Sequence, residues 1–312
     1  MKRVLVTGGA GFIGTNLCIN LLTNTNYHII CVDNLSSGKL DNIQSLKKHK
    51  NFEFINHDIT QYIDLDVDEI YHLASPESSP HNPSEPINKI KTNLIGTLNI
   101  LELARTNKAK VLLASTSRIY QDHASILKTA CYDEGKRIAE TLMLEYNQKY
   151  NVQTRIARIF DTYGPHMNPK HGNTISKLIT QALNKQKLSV YGDGQQTHSF
   201  CYVTDTVEGL IKLMQSDYTI PINIGNPKPY KTIEIAQLIL EKNHLDLNHL
   251  EHHQLPETNS NITSPDITRT KILLNWKPKV TLDGDGLETT IEYFKESLGY
   301  SSPIDFMNYT YM

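Results

Sequence analysis

Several features that mark common protein classes are missing from this chain of 312 residues. Its formal net charge of −2 gives no basic field to attract nucleic acid, and it has no run of about eighteen apolar residues to span a bilayer. The first strand-like run begins at Arg3 and Val4, which leaves no room for a signal peptide. Cysteine is scarce, and the four present lack the spacing of a metal site: Cys18, Cys31, Cys131 and Cys201. We therefore expect a cytoplasmic protein with reduced thiols and no metal ion, and neither nucleic acid nor membrane among its partners.

The chain does contain apolar strand-like runs that alternate with helix-length segments. With 39% hydrophobic residues it can bury a large core. The strand-like runs include 51–59, 69–75, 110–116 and 154–160, and the helix-length segments include 86–106 and 131–150. This alternation predicts an α/β fold with a parallel sheet covered on both faces. Right-handed crossovers would bring the strand ends after Ser75, Ser115 and Phe160 to one edge of that sheet.

A glycine-rich turn follows the first strand, in the sequence VLVTGGAGFIG at residues 4–14. Gly8 permits a tight turn, Gly11 lets the backbone approach a pyrophosphate, and Gly14 lets the next helix pack close to the sheet. The free N–H groups at the start of that helix favour a bound phosphate. Strand, turn and helix in this order predict a dinucleotide site in a Rossmann-type, doubly wound sheet.

An aspartate closes the second strand-like run, HIICVD. Asp33 is placed to accept hydrogen bonds from the adenosine ribose hydroxyls and to repel a 2′-phosphate. Asn34 and Leu35, which follow it, bring no arginine that would reverse this preference. The expected cofactor is therefore NAD and not NADP.

A tyrosine and a lysine four positions apart, Tyr132 and Lys136, open the predicted helix at 131–150. This spacing puts both side chains on one face of a helix, and Thr116 ends the strand that precedes them. We expect the hydroxyl, the phenol and the ammonium to meet over a nicotinamide ring. A phenol has a pKa near 10, so we expect the ammonium and the positive nicotinamide to lower it.

The pattern changes beyond residue 160. Proline, glycine and histidine collect in YGPHMNPKHG, and the sequence PINIGNPKPYKTIEIAQLIL then resumes a strand, a turn and a helix. We predict an NAD-binding domain at 1–160 and a smaller α/β substrate domain at 161–312 that is partly interleaved with the first. No role is assigned to the tail at 299–312.

These motifs together resemble the extended short-chain dehydrogenase/reductases, and within them the UDP-glucuronate decarboxylases. The phrases that carry the resemblance are TGGAGFIG, VDNLSSG, EIYHLASP, KTNLIGTLNIL, LLASTS, ACYDEGKRIAETL, ARIFDTYGP and VYGDGQQTHSF. The resemblance implies a homodimer formed through helices 86–106 and 131–150. It also implies a cofactor site made of Gly8, Gly11, Phe12, Ile13, Gly14, Asp33, Asn34, Asp58, Ile59, Leu73, Ala74, Ser75, Asn93, Tyr132 and Lys136.

The resemblance further implies an internal redox cycle. Tyr132 would take the proton of the sugar 4-hydroxyl while hydride passes from C4 to NAD, and the resulting ketone would let the carboxylate leave as carbon dioxide. NADH would then return the hydride. Lys136 would hold the nicotinamide ribose and lower the pKa of Tyr132, and Thr116 would hydrogen-bond the reacting oxygen.

The chain departs from the family on the side of the substrate. Arg118 stands where the decarboxylases carry a catalytic glutamate, and His198 stands where they carry an arginine. The expected substrate side chains are Ser75, Asn82, Asp161, Asn173, Tyr191 and His198. Of these, Asn82 replaces a tyrosine, Asp161 an asparagine and Asn173 an arginine, while Thr263 replaces a further arginine. Several cations for a diphosphate are therefore missing, which should weaken its binding.

Three of these positions allow two interpretations each. Arg118 either binds a substrate carboxylate or phosphate, or points away and forms a surface pair. His198 is either an acid that titrates near neutral pH or a satisfied polar residue. Asp161 either selects the substrate or replaces asparagine without effect. In addition, the segment 121–131 is about half as long as in the family, so we expect a more open cleft.

Three functions remain in play. The first is UDP-glucuronate decarboxylation with an altered site, which yields UDP-xylose. The second keeps Thr116, Tyr132 and Lys136 but acts as a 4-epimerase, dehydrogenase or ketoreductase on another sugar-like substrate, which the lost arginines and glutamate favour. The third is a non-catalytic NAD-binding protein, and it ranks last because the complete set of catalytic side chains argues against it.

Overall fold

The computed structural model describes residues 1–76, 86–120, 130–170, 172–254 and 264–300. Its strands are β1 (Arg3–Thr7), β2 (His28–Asp33), β3 (Phe52–Asn56), β4 (Glu69–His72), β5 (Lys110–Thr116), β6 (Thr154–Ile159), β7 (Thr162–Tyr163), β8 (Leu188–Tyr191), β9 (Thr197–Ser199), β10 (Cys201–Tyr202), β11 (Ile222–Ile224), β12 (Pro229–Lys231) and β13 (Leu250–His253).

The α-helices are α1 (Phe12–Asn24), α2 (Leu40–Ile43), α3 (Pro86–Lys91), α4 (Thr97–Asn107), α5 (Ala130–Tyr150), α6 (Thr174–Leu183), α7 (Val203–Gln215), α8 (Thr232–Lys242), α9 (Thr268–Leu274) and α10 (Asp285–Ser297). Short 3₁₀ turns lie at Leu46–Lys48, Ser117–Tyr120 and Leu247–His249. The fold class is confirmed, and so are the predicted strands and the helix at 131–150, whereas the predicted helix at 86–106 is divided into α3 and α4. None of the helices in the described ranges is both long and apolar enough to cross a membrane.

A seven-stranded sheet runs through the molecule in the order β3-β2-β1-β4-β5-β6-β11, and every neighbouring pair is parallel. Strand direction and order match a doubly wound fold. Because successive side chains of a strand point to opposite faces, Val4 and Val6 pack under α1 and α7, while Leu5 packs under α4 and α5. The strand order reverses between β1 and β4, and in such sheets a ligand binds at that point, beyond the carboxyl ends of the strands.

The second half of the chain contributes to both parts of the molecule. One apolar cluster lies between α6, α8 and α10, with Ile179, Ile239 and Phe294 almost fully buried. The edge strand β11 and the helix α7, however, belong to the large sheet and its cover. After residue 160 the chain therefore returns to the large sheet and to the helices that cover it. The domain boundary at that residue stays a prediction.

The predicted helix at 86–106 is interrupted by a π-helical turn at Thr92–Gly96. Such turns cost regular hydrogen bonding and occur often at functional sites. A side chain at Gly96 would come within 2.5 Å of Ile59, so the turn packs tightly against the loop after β3. The turn also brings Asn93 to Ser75, whose hydroxyl donates to the Asn93 amide oxygen over 3.0 Å.

Candidate active site

A cleft of about 660 Å³ opens along the carboxyl edge of the large sheet. Most of the residues predicted for the cofactor line it: Gly8, Gly11, Phe12, Ile13, Gly14, Asp33, Asn34, Asp58, Ile59, Leu73, Ala74, Ser75, Tyr132 and Lys136. Asn93 does not line the cleft, but its amide oxygen accepts a hydrogen bond from the hydroxyl of Ser75, which does. The sequence therefore located one continuous site, although what each residue does to a bound ligand stays a prediction.

The glycine turn needs glycine for reasons that the structure makes visible. Gly8 has a φ of +70°, and a Cβ there would lie 2.7 Å from the backbone nitrogen of Ala74. A Cβ on Gly14 would collide with the carbonyl oxygen of Gly8. α1 can therefore start close to the ends of β1 and β4, with its free N–H groups at the cleft. Its first turn contains no acidic residue that would repel a phosphate.

Asp33 is buried at the end of β2. One carboxylate oxygen accepts a hydrogen bond from the Ala10 N–H over 3.0 Å, and the other accepts from the Leu35 N–H over 2.8 Å. Burial raises the pKa of Asp33, and these two hydrogen bonds act against that shift. Ala10 of the glycine turn thus fixes the carboxylate at the cleft, and its role towards a ribose stays a prediction.

Thr116, Tyr132 and Lys136 come together as predicted. The Lys136 ammonium donates to the Ala114 carbonyl oxygen over 2.7 Å, and its nitrogen lies 5.9 Å from the centroid of the Tyr132 ring. The side chains of Thr116 and Ser75 line the same cleft as Tyr132. A hydroxyl pair, a phenol and an ammonium therefore face the same part of the cleft.

The expectation that Lys136 lowers the pKa of Tyr132 is wrong for this structure. Burial raises the pKa of Tyr132 to about 12, and the charge that acts against this rise is that of Arg118. Lys136 is buried as well, and desolvation lowers its pKa to about 7. Both groups lose hydration in the same apolar wall, so each is pushed towards its neutral form. The sequence did not reveal this burial.

Arg118 faces the cleft and does not lie on an outer surface. Its Nε atom lies 3.0 Å from a carboxylate oxygen of Asp133, the residue that follows Tyr132, and both side chains are partly exposed. The structure thus combines the two interpretations: Arg118 forms an ion pair with Asp133, and Arg118 itself lines the candidate site.

The remaining substrate residues divide into two groups. Asp161, Asn173 and His198 line the cleft. Tyr191 does not, because its hydroxyl accepts a hydrogen bond from Lys177 over 3.0 Å and its ring packs against His253. Asn82 and Thr263 lie outside the described residues, as do 121–129 of the shortened segment and 301–312 of the tail.

The surroundings of His198 favour its neutral form. Its ring stacks on Phe200 with 5.8 Å between centroids, and burial lowers its pKa from 6.5. Its Nδ1 atom is buried and makes no hydrogen bond to any described residue. This environment makes His198 a weak substitute for the arginine that the resemblance led us to expect.

A model of the NAD dependent epimerase/dehydratase family matches residues 4–225. The chain belongs to this family. UDP-glucuronic acid decarboxylase 6 of Arabidopsis thaliana is 44% identical over 310 residues, which cover 95% of this chain and 90% of that protein. UDP-glucuronic acid decarboxylase 1 of Xenopus tropicalis is 42% identical over 316 residues, which cover 96% of this chain and 74% of that protein.

Solved structures of family members have the same fold. The UDP-glucuronic acid 4-epimerase of Bacillus cereus, in complex with UDP-glucuronic acid and NAD, has a TM-score of 0.82 at 29% identity and covers 95% of this chain and 99% of its own. The dTDP-glucose 4,6-dehydratase of Bacillus anthracis, in complex with NAD, has a TM-score of 0.83 at 26% identity, with 98% and 100% covered. The resemblance predicted from the motifs is confirmed, and the cofactor of this family member is NAD.

Sequence reasoning missed part of the cleft wall. His166, Met167, Asn168 and Thr174 line it, and so does Tyr293 of α10. The Tyr293 hydroxyl donates to the Asn42 amide oxygen over 3.4 Å, and its ring lies 5.2 Å from that of His166. The YGPHMNP stretch was a usable signal for His166 to Asn168. No local pattern marks Tyr293, because its approach to the cleft depends on how α10 docks.

Proposed function

We propose that this family member is an NAD-dependent UDP-glucuronate decarboxylase that forms UDP-xylose and carbon dioxide. The observation that carries the proposal is the meeting of Thr116, Tyr132 and Lys136 at the edge of β5, across the cleft from the glycine turn. The likeness to named decarboxylases over 95% of the chain supports this choice of substrate.

The side chains divide the work as follows. Tyr132 accepts the proton of the sugar 4-hydroxyl, and Thr116 and Ser75, which line the same cleft, supply hydroxyls for the reacting oxygen. Lys136, fixed on the Ala114 carbonyl oxygen, provides the nearby ammonium. Bound NAD supplies the hydride acceptor for C4 and later the donor. The C4 ketone lies β to the carboxylate, so the electrons of the breaking carbon–carbon bond move to the C4 oxygen, which Thr116 and Tyr132 stabilise. C5 of the resulting enolate then takes a proton from water before the hydride returns to C4.

One observation favours a second candidate function, 4-epimerisation of a uronic acid nucleotide. Arg118 stands at the cleft where the decarboxylases carry a glutamate, and its positive charge would stabilise a substrate carboxylate against loss as carbon dioxide. Asp133 neutralises part of that charge, and for this reason we rank decarboxylation first.

The purified protein should be incubated with NAD and UDP-glucuronate while nicotinamide absorbance is followed and the nucleotide sugars are resolved by mass. We expect loss of the mass of carbon dioxide without lasting NADH. An unchanged mass with inversion at C4 would establish the epimerase instead. Absence of turnover despite tight NAD binding would contradict both activities on this substrate.

We propose further that the protein is a homodimer in the cytoplasm. Apolar side chains are exposed on the helices between residues 86 and 150, among them Ile87, Ile95 and Ile138, and a patch of this kind suits a second copy of the same face. The four cysteines are free thiols, which is typical of a reducing compartment. Sedimentation of the protein and of an Ile95→Glu, Ile138→Glu variant tests the dimer, since the variant should sediment as a monomer.

A further inference from the structure

Two buried charged groups of α5 hold successive residues of β5. Lys136 donates to the carbonyl oxygen of Ala114 over 2.7 Å. Glu140, one helical turn later, accepts a hydrogen bond from the Ser115 hydroxyl over 2.6 Å. The next residue along β5 is Thr116. The helix that carries Tyr132 is therefore fixed, at two points, to the strand end that carries its hydroxyl partner.

Glu140 is itself held from the opposite side. Arg158 of β6 donates to its two carboxylate oxygens over 3.0 and 2.7 Å. The guanidinium of Arg158 lies 4.7 Å from the centroid of the Tyr120 ring, and the Tyr120 hydroxyl donates to Asn223 of β11 over 2.8 Å. The Glu140 side chain is only 9% exposed. Its geometry is therefore set by three strands of the sheet and not by solvent.

We propose that Glu140 is a positioning residue for the hydride chemistry: it anchors α5 to the end of β5 and places a carboxylate one helical turn from Lys136. This inference rests on the proposed roles of Tyr132 and Lys136, but not on the identity of the sugar. Glu140 lies outside the cleft lining, so it acts through Lys136 and Ser115 and not by contact with the substrate.

The charges around Lys136 support this role. Tyr132 and Glu140 lie on its own helix and His72 on β4; Arg158 of β6 pairs with Glu140, and Arg118 after β5 pairs with Asp133. Burial lowers the pKa of His72 to about 3, so this ring is neutral at working pH; it bonds Thr7 and Thr97.

Desolvation lowers the pKa of Lys136 to about 7, and Glu140 is the group whose charge opposes that shift. Removing the Glu140 charge must therefore let Lys136 lose its proton at a lower pH. Since the rate requires the protonated amine, activity should be lost at a lower pH as well.

The test is a titration of Lys136 by NMR in protein labelled with carbon-13 lysine, with the signal assigned by a Lys136→Ala variant. We expect Glu140→Gln to move the titration of Lys136 to lower pH by about one unit. Glu140→Asp keeps the carboxylate, so Lys136 should titrate close to its wild-type pH in that variant. Arg158→Met, which also breaks the ion pair, is the matched control and should not move the titration to lower pH. An unmoved titration in folded Glu140→Gln would overturn the proposal.

The pH dependence of turnover provides the second measurement. The alkaline limb for Glu140→Gln should move in the same direction as the NMR titration, whereas a purely structural defect would lower the rate at every pH. If Glu140→Gln does not fold, the Glu140→Gln, Arg158→Met double variant removes the buried pair together, and its Lys136 titration should lie at lower pH than that of Arg158→Met alone. Because the NMR titration needs no substrate, it separates failure of this inference from failure of the proposed activity.

Discussion

Arg118 influences how readily the catalytic phenol ionises. It lies at the cleft beside Tyr132, paired with Asp133, and its charge acts against the rise in the pKa of Tyr132 that burial causes. Lys136, with its own pKa lowered by burial to about 7, cannot take over this role fully. Arg118 is therefore the charged side chain whose removal should change the titration of Tyr132 most directly.

Arg118→Gln should raise the pKa of Tyr132. A base must lose its proton to work, so the acidic limb of the pH–rate profile should move to higher pH by about one unit. Arg118→Lys keeps the charge and should keep most of the wild-type profile. The measurement is kcat against pH, with UDP-glucuronate and the cofactor NAD both in excess. Identical profiles for the Gln and Lys variants would show that the charge is not what matters.

Tyr132→Phe should abolish turnover while NAD binding stays near normal. Loss of a general base costs about a hundredfold or more in rate, and the ring itself is retained. Turnover and calorimetric NAD binding should be measured on the same preparation. Retention of turnover would remove the mechanism proposed for this site.

Asn173 illustrates how a local substitution affects a whole element. It is the N-cap of α6, where its side-chain oxygen accepts from the Ser176 N–H over 2.8 Å, and it also lines the cleft. Capping requires a short polar acceptor, which an arginine cannot provide. An arginine here, which the resemblance led us to expect, would leave α6 without this cap.

Asn173→Ala should lower the free energy of unfolding by about 1 kcal/mol, because the cap is lost. Asn173→Asp keeps the cap and should keep the stability, but the added negative charge should weaken binding of UDP. Urea unfolding and UDP titration of both variants test this. Equal UDP affinity in Asn173→Asp and the wild type would place the diphosphate away from α6.

At the level of elements, the sequence predicted what depends on neighbouring residues. The apolar runs predicted the strands, and the glycine turn and Asp33 predicted the part of the cleft that we assign to the cofactor. The π-helical turn at Thr92–Gly96 could not be predicted, since it depends on contacts with Ser75 and Ile59 that lie far away in the chain.

For the molecule as a whole, two buried histidines lower the free energy of unfolding at low pH. Burial lowers the pKa of His72 to about 3 and that of His166 to about 4, whereas an unfolded histidine titrates near 6.5. The unfolded chain therefore binds more protons, so the stability they contribute is complete above pH 6.5 and is lost as pH falls towards the folded values.

Between pH 6 and 5 the free energy of unfolding should fall by about 1.4 kcal/mol per pH unit for each of the two histidines. Urea unfolding at several pH values measures this slope, and His72→Gln should reduce it by the contribution of one proton. A slope that His72→Gln leaves unchanged would contradict the buried neutral state of His72.

The contacts between distant parts of the chain that shape the cleft could not be predicted from the sequence either. Tyr293 reaches Asn42 from the other end of the chain, and the ion pair of Arg118 with Asp133 depends on how α5 docks against β5. The burial that shifts the pKa values of Tyr132 and Lys136 is also a property of packing. Motifs therefore located the chemistry, while its electrostatic setting needed the folded molecule.

The placement of β11 has a consequence for biosynthesis. This strand forms the outer edge of the large sheet beside β6, yet it is translated after β7 to β10 and α7. While the nascent chain leaves the ribosome, β6 presents unpaired backbone groups between apolar side chains, a surface prone to pairing with other chains. Chaperone demand during synthesis should therefore end when Ile224 emerges, and not when the nucleotide motifs are complete.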